Sequence, residues 1–347
     1  LCGGAGAAGL SAVEAPLADA AGTDQLLMGM SMNNLLSLDP AAATGLDAMT
    51  VVCNVCDSLL ETDAHDAARL LPALAQGWEV AQGGRRLVFR LRQDVRFASG
   101  QPLLAEHAAW SLQRVLRLNL APASVWKSYG FTAARVADLV QATAPHTLQI
   151  DLPQATDPNL VLMTLATSMS ALVLDRDAVL AHETKGDLGA AWLTTHAAGS
   201  GAFALQTWRP KELLILRRQA GHWRGDARLQ RVVMRHMTES QTLRLMLTRG
   251  DLDLAGGLSA PDVKALSMRP ELAVETVRRG NIYYVAVNAR HPRFADERVR
   301  RAVLRHLIDF DGMAGSVLAT HGQVHQRPVP SGRPASASNW RRRACPM

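Results

Sequence analysis

Residues 199–253 read GSGAFALQTWRPKELLILRRQAGHWRGDARLQRVVMRHMTESQTLRLMLTRGDLD, and turn signals divide them into pieces of distinct period. Phe203 and Leu205 alternate with small or polar residues, Arg209-Pro210 turns the chain, and Leu213-Leu214-Ile215-Leu216 is apolar enough for a buried strand. The pair predicts a hairpin. A loop bounded by Gly221 and Gly225 leads to a strand over residues 231–237. A helix follows, with Leu243, Met246 and Leu247 on one face and Gly250 as its stop. A last strand over residues 251–255 closes the unit.

The chain around this stretch has 347 residues, 48% hydrophobic and 20% charged, enough for two or more domains with a sizeable core. The net charge of +6 does not single out nucleic acid, because the arginines are spread over strand edges and helix faces. No window of 18 apolar residues occurs, so no membrane-spanning helix is expected. Four cysteines, Cys2, Cys53, Cys56 and Cys345, are too few for a disulfide scaffold. Cys53 and Cys56 spell C-x-x-C, a redox or metal pattern when a second pair or a histidine completes it. Neither is near, and both thiols fall in an apolar helix beginning near Met49, where small buried thiols are ordinary.

Upstream, residues 25–32 (QLLMGMSM) read as a first strand, and Asn33-Asn34 as a turn leading through Leu35-Leu36-Ser37 to Leu38-Asp39-Pro40. A helix is expected over residues 47–60. LPALAQGWEV at residues 71–80 and Gly83-Gly84 precede residues 86–92, where Leu87, Phe89 and Leu91 face one side and Arg86, Val88, Arg90 and Arg92 the other. That period of two marks a half-buried hairpin strand. VRFASGQPL at residues 95–103 and Ala105-Glu106-His107 open a helix with Ala108, Leu112, Val115 and Leu116 at helical spacing. Trp126, Tyr129 and Phe131 form the densest aromatic cluster, of a kind that packs under a loop or stacks on a ligand in a cleft. Residues 147–152 alternate as a strand that Pro153 ends, and residues 160–174 are apolar throughout. Downstream, Ser259-Ala260-Pro261-Asp262 starts a capped helix, NIYYVAVN at residues 281–288 reads as a strand, and DERVRRAV at residues 296–303 opens a helix.

Four of these pieces, Gly199-Ser200-Gly201-Ala202-Phe203, Trp208-Arg209-Pro210, His222-Trp223-Arg224-Gly225 and Arg249-Gly250-Asp251-Leu252-Asp253, resemble the signposts of a known family in order and spacing. The family is the extracytoplasmic solute-binding proteins of ABC importers, family 5, the peptide and nickel group. The likeness extends through Pro72-Ala73-Leu74-Ala75-Gln76-Gly77-Trp78, Phe97 to Glu106, the aromatic strand with Pro292, Phe294 and Asp296-Glu297-Arg298-Val299-Arg300, and residues 325–330. It covers about residues 24–330. Cys56-Asp57-Ser58-Leu59 stands where an aromatic, a Glu and a Gly usually precede Leu, and Ala98-Ser99 replaces the common His-Asp.

The resemblance implies an α/β, two-lobed periplasmic-binding-protein type II fold with mixed sheets, its second lobe incomplete as in a C-terminally truncated member. Residues 1–23 would be a signal-peptide remnant or disordered leader, with Ala18-Asp19-Ala20 suiting cleavage. Residues 24–58 and 195–283 would form the first lobe, 59–194 a subdomain inserted in it, and 284–330 the start of the second lobe. Residues 331–347, rich in Ser, Pro and Arg, would be a disordered tail. The implied function is capture of di- and oligopeptides in an interlobe cleft, closure by rotation about residues 283–288, and delivery to an ABC permease, by a periplasmic monomer. In the family, main-chain groups of the irregular stretch after the first strand line the cleft, which here points to Asn33, Asn34, Leu35 and Leu36. Met49, Trp126, Tyr129, Tyr283 and Asn288 complete the candidate ligand-binding set. A nickel or metal-chelate carrier is the alternative within the family, with Met49, His321 and His325 as candidates. A non-transport interaction module left by truncation is the alternative outside it.

Other chemistries find little support in the residues. Gly199-Ser200-Gly201 is not G-x-S-x-G, and it precedes a strand where a nucleophile elbow follows one. His321 and His325 are four apart, but Gly322 and the later prolines argue for a loop. Asp251 and Asp253 alternate as a solvated strand face. With no phosphate loop, paired carboxylates or nucleophile beside a base, no enzyme activity, cofactor, resident metal or nucleic-acid partner is expected.

Overall fold

The expected hairpin is present as the strands Phe203–Arg209 and Leu213–Arg218 in a computed structural model that describes residues 24–66, 68–275, 284–313 and 315. The leader, Tyr283, His321, His325 and the tail lie outside the described residues. In chain order the strands are β1 (Gln25–Met30), β2 (Leu60–Thr62), β3 (Leu70–Pro72), β4 (Ala75–Ala81), β5 (Arg86–Leu91), β6 (Val140–Ala144), β7 (Thr147–Asp151), β8 (Phe203–Arg209), β9 (Leu213–Arg218), β10 (Arg231–His236) and β11 (Leu254–Ala255). The chain divides into two compact units, one running to Thr238 and including Met246–Gly256, the other comprising Glu239–Leu245 and the residues from Gly257 onward.

The first unit holds a mixed five-stranded sheet in the order β11-β1-β10-β9-β8. β1 runs parallel to both its neighbours, pairing Met28 with Met234 on one side and with Leu254 on the other, while β9 and β8 continue antiparallel. Unbroken apolar runs in β9 and β10 suit a sheet covered on both faces, and Leu214, Ile215, Leu216, Val232, Val233 and Met234 are all buried. Helix α1 (Gly45–Val55) sends Ala48, Val51, Val52 and Val55 inward at the i, i+3, i+4, i+7 spacing, into a core shared with Met30, Leu38, Leu214 and Met234.

A second sheet in the same unit, β4-β5-β7-β6, is antiparallel throughout. The period of two in β5 is realised: Leu87, Phe89 and Leu91 are buried opposite Leu148 and Ile150. Helix α2 (Ala105–Leu118) covers this sheet with Ala105, Ala108, Leu112, Val115 and Leu116, and Trp126 and Phe131 fill the same core. α2 also carries one half of a buried ion pair. Arg114 of α2 donates Nη1 and Nη2 to Asp39 Oδ1 and Oδ2 at 2.7 and 2.6 Å, and its Nε to Leu188 O at 2.8 Å.

Three expectations are corrected. The helix over residues 47–60 stops at Val55, because the chain turns extended at Cys56 and enters β2 at Leu60. The strand over residues 251–255 shrinks to Leu254–Ala255. Gly250 turns left-handed at φ +77°, and Asp253 is drawn into main-chain exchange with Leu27, donating to its carbonyl at 2.9 Å and accepting its N–H on Oδ2 at 2.7 Å. Asp253 is therefore a strand-edge acceptor, not part of a free acidic face. Residues 284–288 carry no strand.

In the second unit, Ser259 caps the helix Ala260–Leu266 as its sequence predicts, its Oγ accepting from Asp262 N, while the Asp262 carboxylate receives the hydroxyls of Ser240 and Ser259. Asp296 caps the helix Glu297–Ala302 by accepting from Arg298 N at 2.8 Å. Among the described residues, no helix is long and apolar enough to cross a membrane.

Candidate functional site

The chain leaves the carboxyl end of β1 at Met30 between two parallel neighbours, the place in an α/β sheet where loops gather over strand ends and leave a crevice. Residues 31–38 cross that edge as an irregular loop. Met32, Leu35 and Leu38 point into the core and are buried, whereas Asn33, Asn34 and Leu36 face outward. Asn33 and Asn34 are the two central residues of a tight turn closed by Leu35 N donating to Met32 O at 3.2 Å.

The loop is fixed from several sides. Met32 N donates to Nδ1 of His236, the last residue of β10, at 2.9 Å. Asn34 N donates to Asp47 Oδ2 on α1 at 3.3 Å, and Leu38 N to Thr194 O at 3.2 Å. Asp39 then anchors the following turn, accepting from Ala41 N on Oδ1 while held by Arg114. Within this frame the main-chain carbonyls of residues 33–36 and the N–H of Leu36 have no hydrogen-bond partner among the described residues. Leu36 itself is 76% exposed. The loop thus carries an exposed apolar side chain flanked by main-chain acceptors open to solvent, with both of its ends pinned.

The other predicted site residues are distributed as follows. Met49 lies on α1, two residues beyond the Asp47 that holds Asn34, and is partly exposed. Trp126 corrects the cleft reading of the aromatic cluster: it is fully buried, its Nε1 donates to Ser170 Oγ at 2.9 Å, and Phe131 meets it edge-on at 6.2 Å. Tyr129 packs against the same core with its hydroxyl 2.8 Å from Thr164 Oγ1. Both belong to the second sheet's core, apart from the loop at residues 33–36. Asn288, in the second unit, is exposed and accepts from Arg290 N at 3.0 Å. His236 escaped sequence reasoning. Its role depends on the pairing of β1 with β10 across some two hundred residues, and nothing local announces it.

A hydrolytic reading of Ser200 fails on geometry. Ser200 is fully buried and donates to Asp57 Oδ2 at 2.9 Å, the same oxygen that receives Trp223 Nε1 at 3.1 Å and stands 3.5 Å from His222 Nε2. These side chains tie the end of α1 to two loops and present no hydroxyl to solvent. The glycines on either side serve the same close approach. A Cβ at Gly199 would overlap Val55 O and come within 2.5 Å of Cys56 Sγ, and one at Gly201 would overlap Asn54 O. Burial pushes the Cys56 thiol well up from its ordinary value, with the Asp57 carboxylate adding to the effect, and raises the Cys53 thiol as well, so C-x-x-C offers no ready thiolate. The expected pair of buried helical thiols is corrected, since Cys53 is exposed and Cys56 lies just past the end of α1. No cluster of three metal-ligating side chains occurs among the described residues.

Comparison with known proteins gives a consistent picture. The sequence model of the family described as "Bacterial extracellular solute-binding proteins, family 5 Middle" matches residues 69–344. The probable D,D-dipeptide-binding periplasmic protein DdpA of Escherichia coli (strain K12) is 27% identical over 321 residues, covering 91% of this chain and 59% of that protein. Di/tripeptide-binding protein 2 of Pseudomonas aeruginosa (strain UCBPP-PA14) is 25% identical, covering 76% of this chain and 51% of the relative. Among solved structures, the ABC transporter-associated periplasmic binding protein DppA from Helicobacter pylori, in complex with peptide STSA, superposes with a TM-score of 0.75 at 22% identity, covering 88% of this chain and 60% of that one. The likeness establishes the α/β periplasmic-binding-protein type II fold, and the chain spans between 51% and 60% of the length of these relatives.

Proposed function

Because this chain belongs to the bacterial extracellular solute-binding proteins of family 5, we propose that it acts as the solute-binding component of an ABC importer, capturing di- and oligopeptides for delivery to a membrane permease. The observation that carries this reading is the loop at residues 33–36, which places unpaired main-chain groups and an exposed Leu36 at the carboxyl ends of parallel strands. An extended peptide offers the same N–H and C=O groups at every residue, so recognition through main chain accepts varied sequences. The names of the relatives, a D,D-dipeptide binder and a di/tripeptide binder, and the peptide held by the Helicobacter pylori protein support the choice of ligand class.

In this reading residues 24–58 and 195–283 form the first lobe, residues 59–194 a subdomain inserted in it, and residues 284–330 begin a second lobe. Closure is a rotation about residues 283–288, and Met49 on α1 joins the ligand-facing set. The protein works in the periplasm as a monomer, without cofactor and without catalysis. Titration calorimetry of the full chain with an equimolar mixture of di-, tri- and tetrapeptides of alanine and leucine tests it, with a nickel–histidine chelate as the comparison. Saturable heat with the peptides supports the reading. Heat with the chelate alone moves it to a metal-chelate carrier, and no heat with either sinks it in favour of a non-transport module.

A further inference from the structure

The loop that faces the ligand in this reading is held at its root by one side chain that no motif distinguishes. Met32 is buried, so its N–H cannot turn to water, and it donates to His236 Nδ1 at 2.9 Å. That bond fixes the ring: Nδ1 is the acceptor, and the single proton of the neutral imidazole sits on Nε2. His236 is itself fixed, paired with Met30 in the β1–β10 register and donating its own N–H to Glu212 O at 2.9 Å. The next residue clamps the same point, Met237 N donating to Met30 O at 2.9 Å. β1 therefore hands the chain to the turn through a junction whose direction is set by a ring nitrogen on the neighbouring strand.

We infer that His236 is the positioning residue of the candidate peptide-binding loop: through the Met32 N–H it sets the path of residues 33–36 and so the direction of their unpaired carbonyls. The inference rests on the reading of residues 33–36 as ligand-facing, but the hydrogen bond is testable without ligand. Asparagine places its Oδ1 as many bonds from Cα as the histidine Nδ1, so His236→Asn keeps an acceptor for Met32. His236→Gln carries its acceptor one bond too far, and His236→Ala has none.

Amide exchange of Met32, followed by NMR on the full chain and its three variants, reads the bond directly. Protection retained in His236→Asn and lost in His236→Gln and His236→Ala is the expected result, whereas equal protection in all three overturns the assignment. Calorimetry with the alanine and leucine peptide mixture then reads its consequence. His236→Asn keeps wild-type affinity and His236→Ala loses about tenfold, the scale of one hydrogen bond left unmade. Unchanged affinity in His236→Ala, with Met32 protection gone, overturns the positioning role. A wild-type chain that binds no peptide but shows the expected exchange pattern refutes the proposed ligand class and upholds the latch.

Discussion

Replacing Arg114 by methionine removes one half of an ion pair in which both side chains are only 1% exposed. The guanidinium makes three charge-assisted or carbonyl hydrogen bonds, two to Asp39 at 2.7 and 2.6 Å and one to Leu188 O at 2.8 Å. Deleting it leaves a buried carboxylate with the Ala41 N–H as its remaining donor. Breaking a buried pair from one side costs about 3–5 kcal/mol, which is a large share of the roughly 5–15 kcal/mol that holds an ordinary domain folded. Arg114→Met is therefore expected to lose about 3–5 kcal/mol in urea unfolding followed by circular dichroism, and Asp39→Ala as much or more because Ala41 N is orphaned as well. The double variant should cost clearly less than the sum of the two, since no unpaired charge remains in it. A loss under about 0.5 kcal/mol for Arg114→Met, or strict additivity in the double variant, would refute the claim that the two side chains are coupled as a buried pair.

Gly199→Ala should destabilise by about 1–3 kcal/mol, more than Ser200→Ala, because its Cβ overlaps the Val55 carbonyl whereas Ser200→Ala loses a single hydrogen bond; equal shifts in melting temperature would contradict the close approach. Asp187 accepts main-chain N–H groups from Thr184, Ala191 and Gly189, which hold its carboxyl below the usual carboxylate range. The folded value lies under the unfolded one, so its stabilisation is present above about pH 4 and is lost as pH falls through the folded value. Asp187→Asn should accordingly be less stable than the parent at neutral pH and equal to it in strong acid, and a pH-independent difference would refute this. Cys56, buried and with its thiol pushed up by burial, should react with a thiol reagent at pH 8 only after denaturation, whereas the exposed Cys53 is accessible in the native chain; label mapped by mass spectrometry to Cys56 itself in the native chain would show that the end of α1 opens.

Much of the frame was readable because its signals are local. The alternation of Leu87, Phe89 and Leu91, the 3.6-residue spacing on α2 and the run in β9 each report which side is buried, and burial follows. Gly250 marked the helix stop correctly, yet the strand after it shortened because Asp253 bonds Leu27 from a strand far away in sequence. Trp126 was ambiguous for the same reason. An aromatic cluster reads alike whether it lines a cleft or fills a core, and the partner that decides, Ser170, is 44 residues away. For Asn33 and Asn34 the residues alone indicate a turn and the family resemblance a ligand-facing stretch. The structure contains the turn, and that turn leaves the carbonyls unpaired. His236 could not be found from pattern at all, since only the parallel register of β1 and β10 brings it to Met32.

The central claim is that residues 33–36 meet the ligand through their main chain. Hydrogen–deuterium exchange of the full chain, with and without the alanine and leucine peptide mixture at saturating concentration, measures this where it is proposed to occur. The account predicts slowed exchange at the Leu36 amide and its neighbours on the loop after β1, with the buried strands β9 and β10 unchanged. Saturable binding that leaves this loop's exchange untouched, with protection appearing elsewhere, would contradict it.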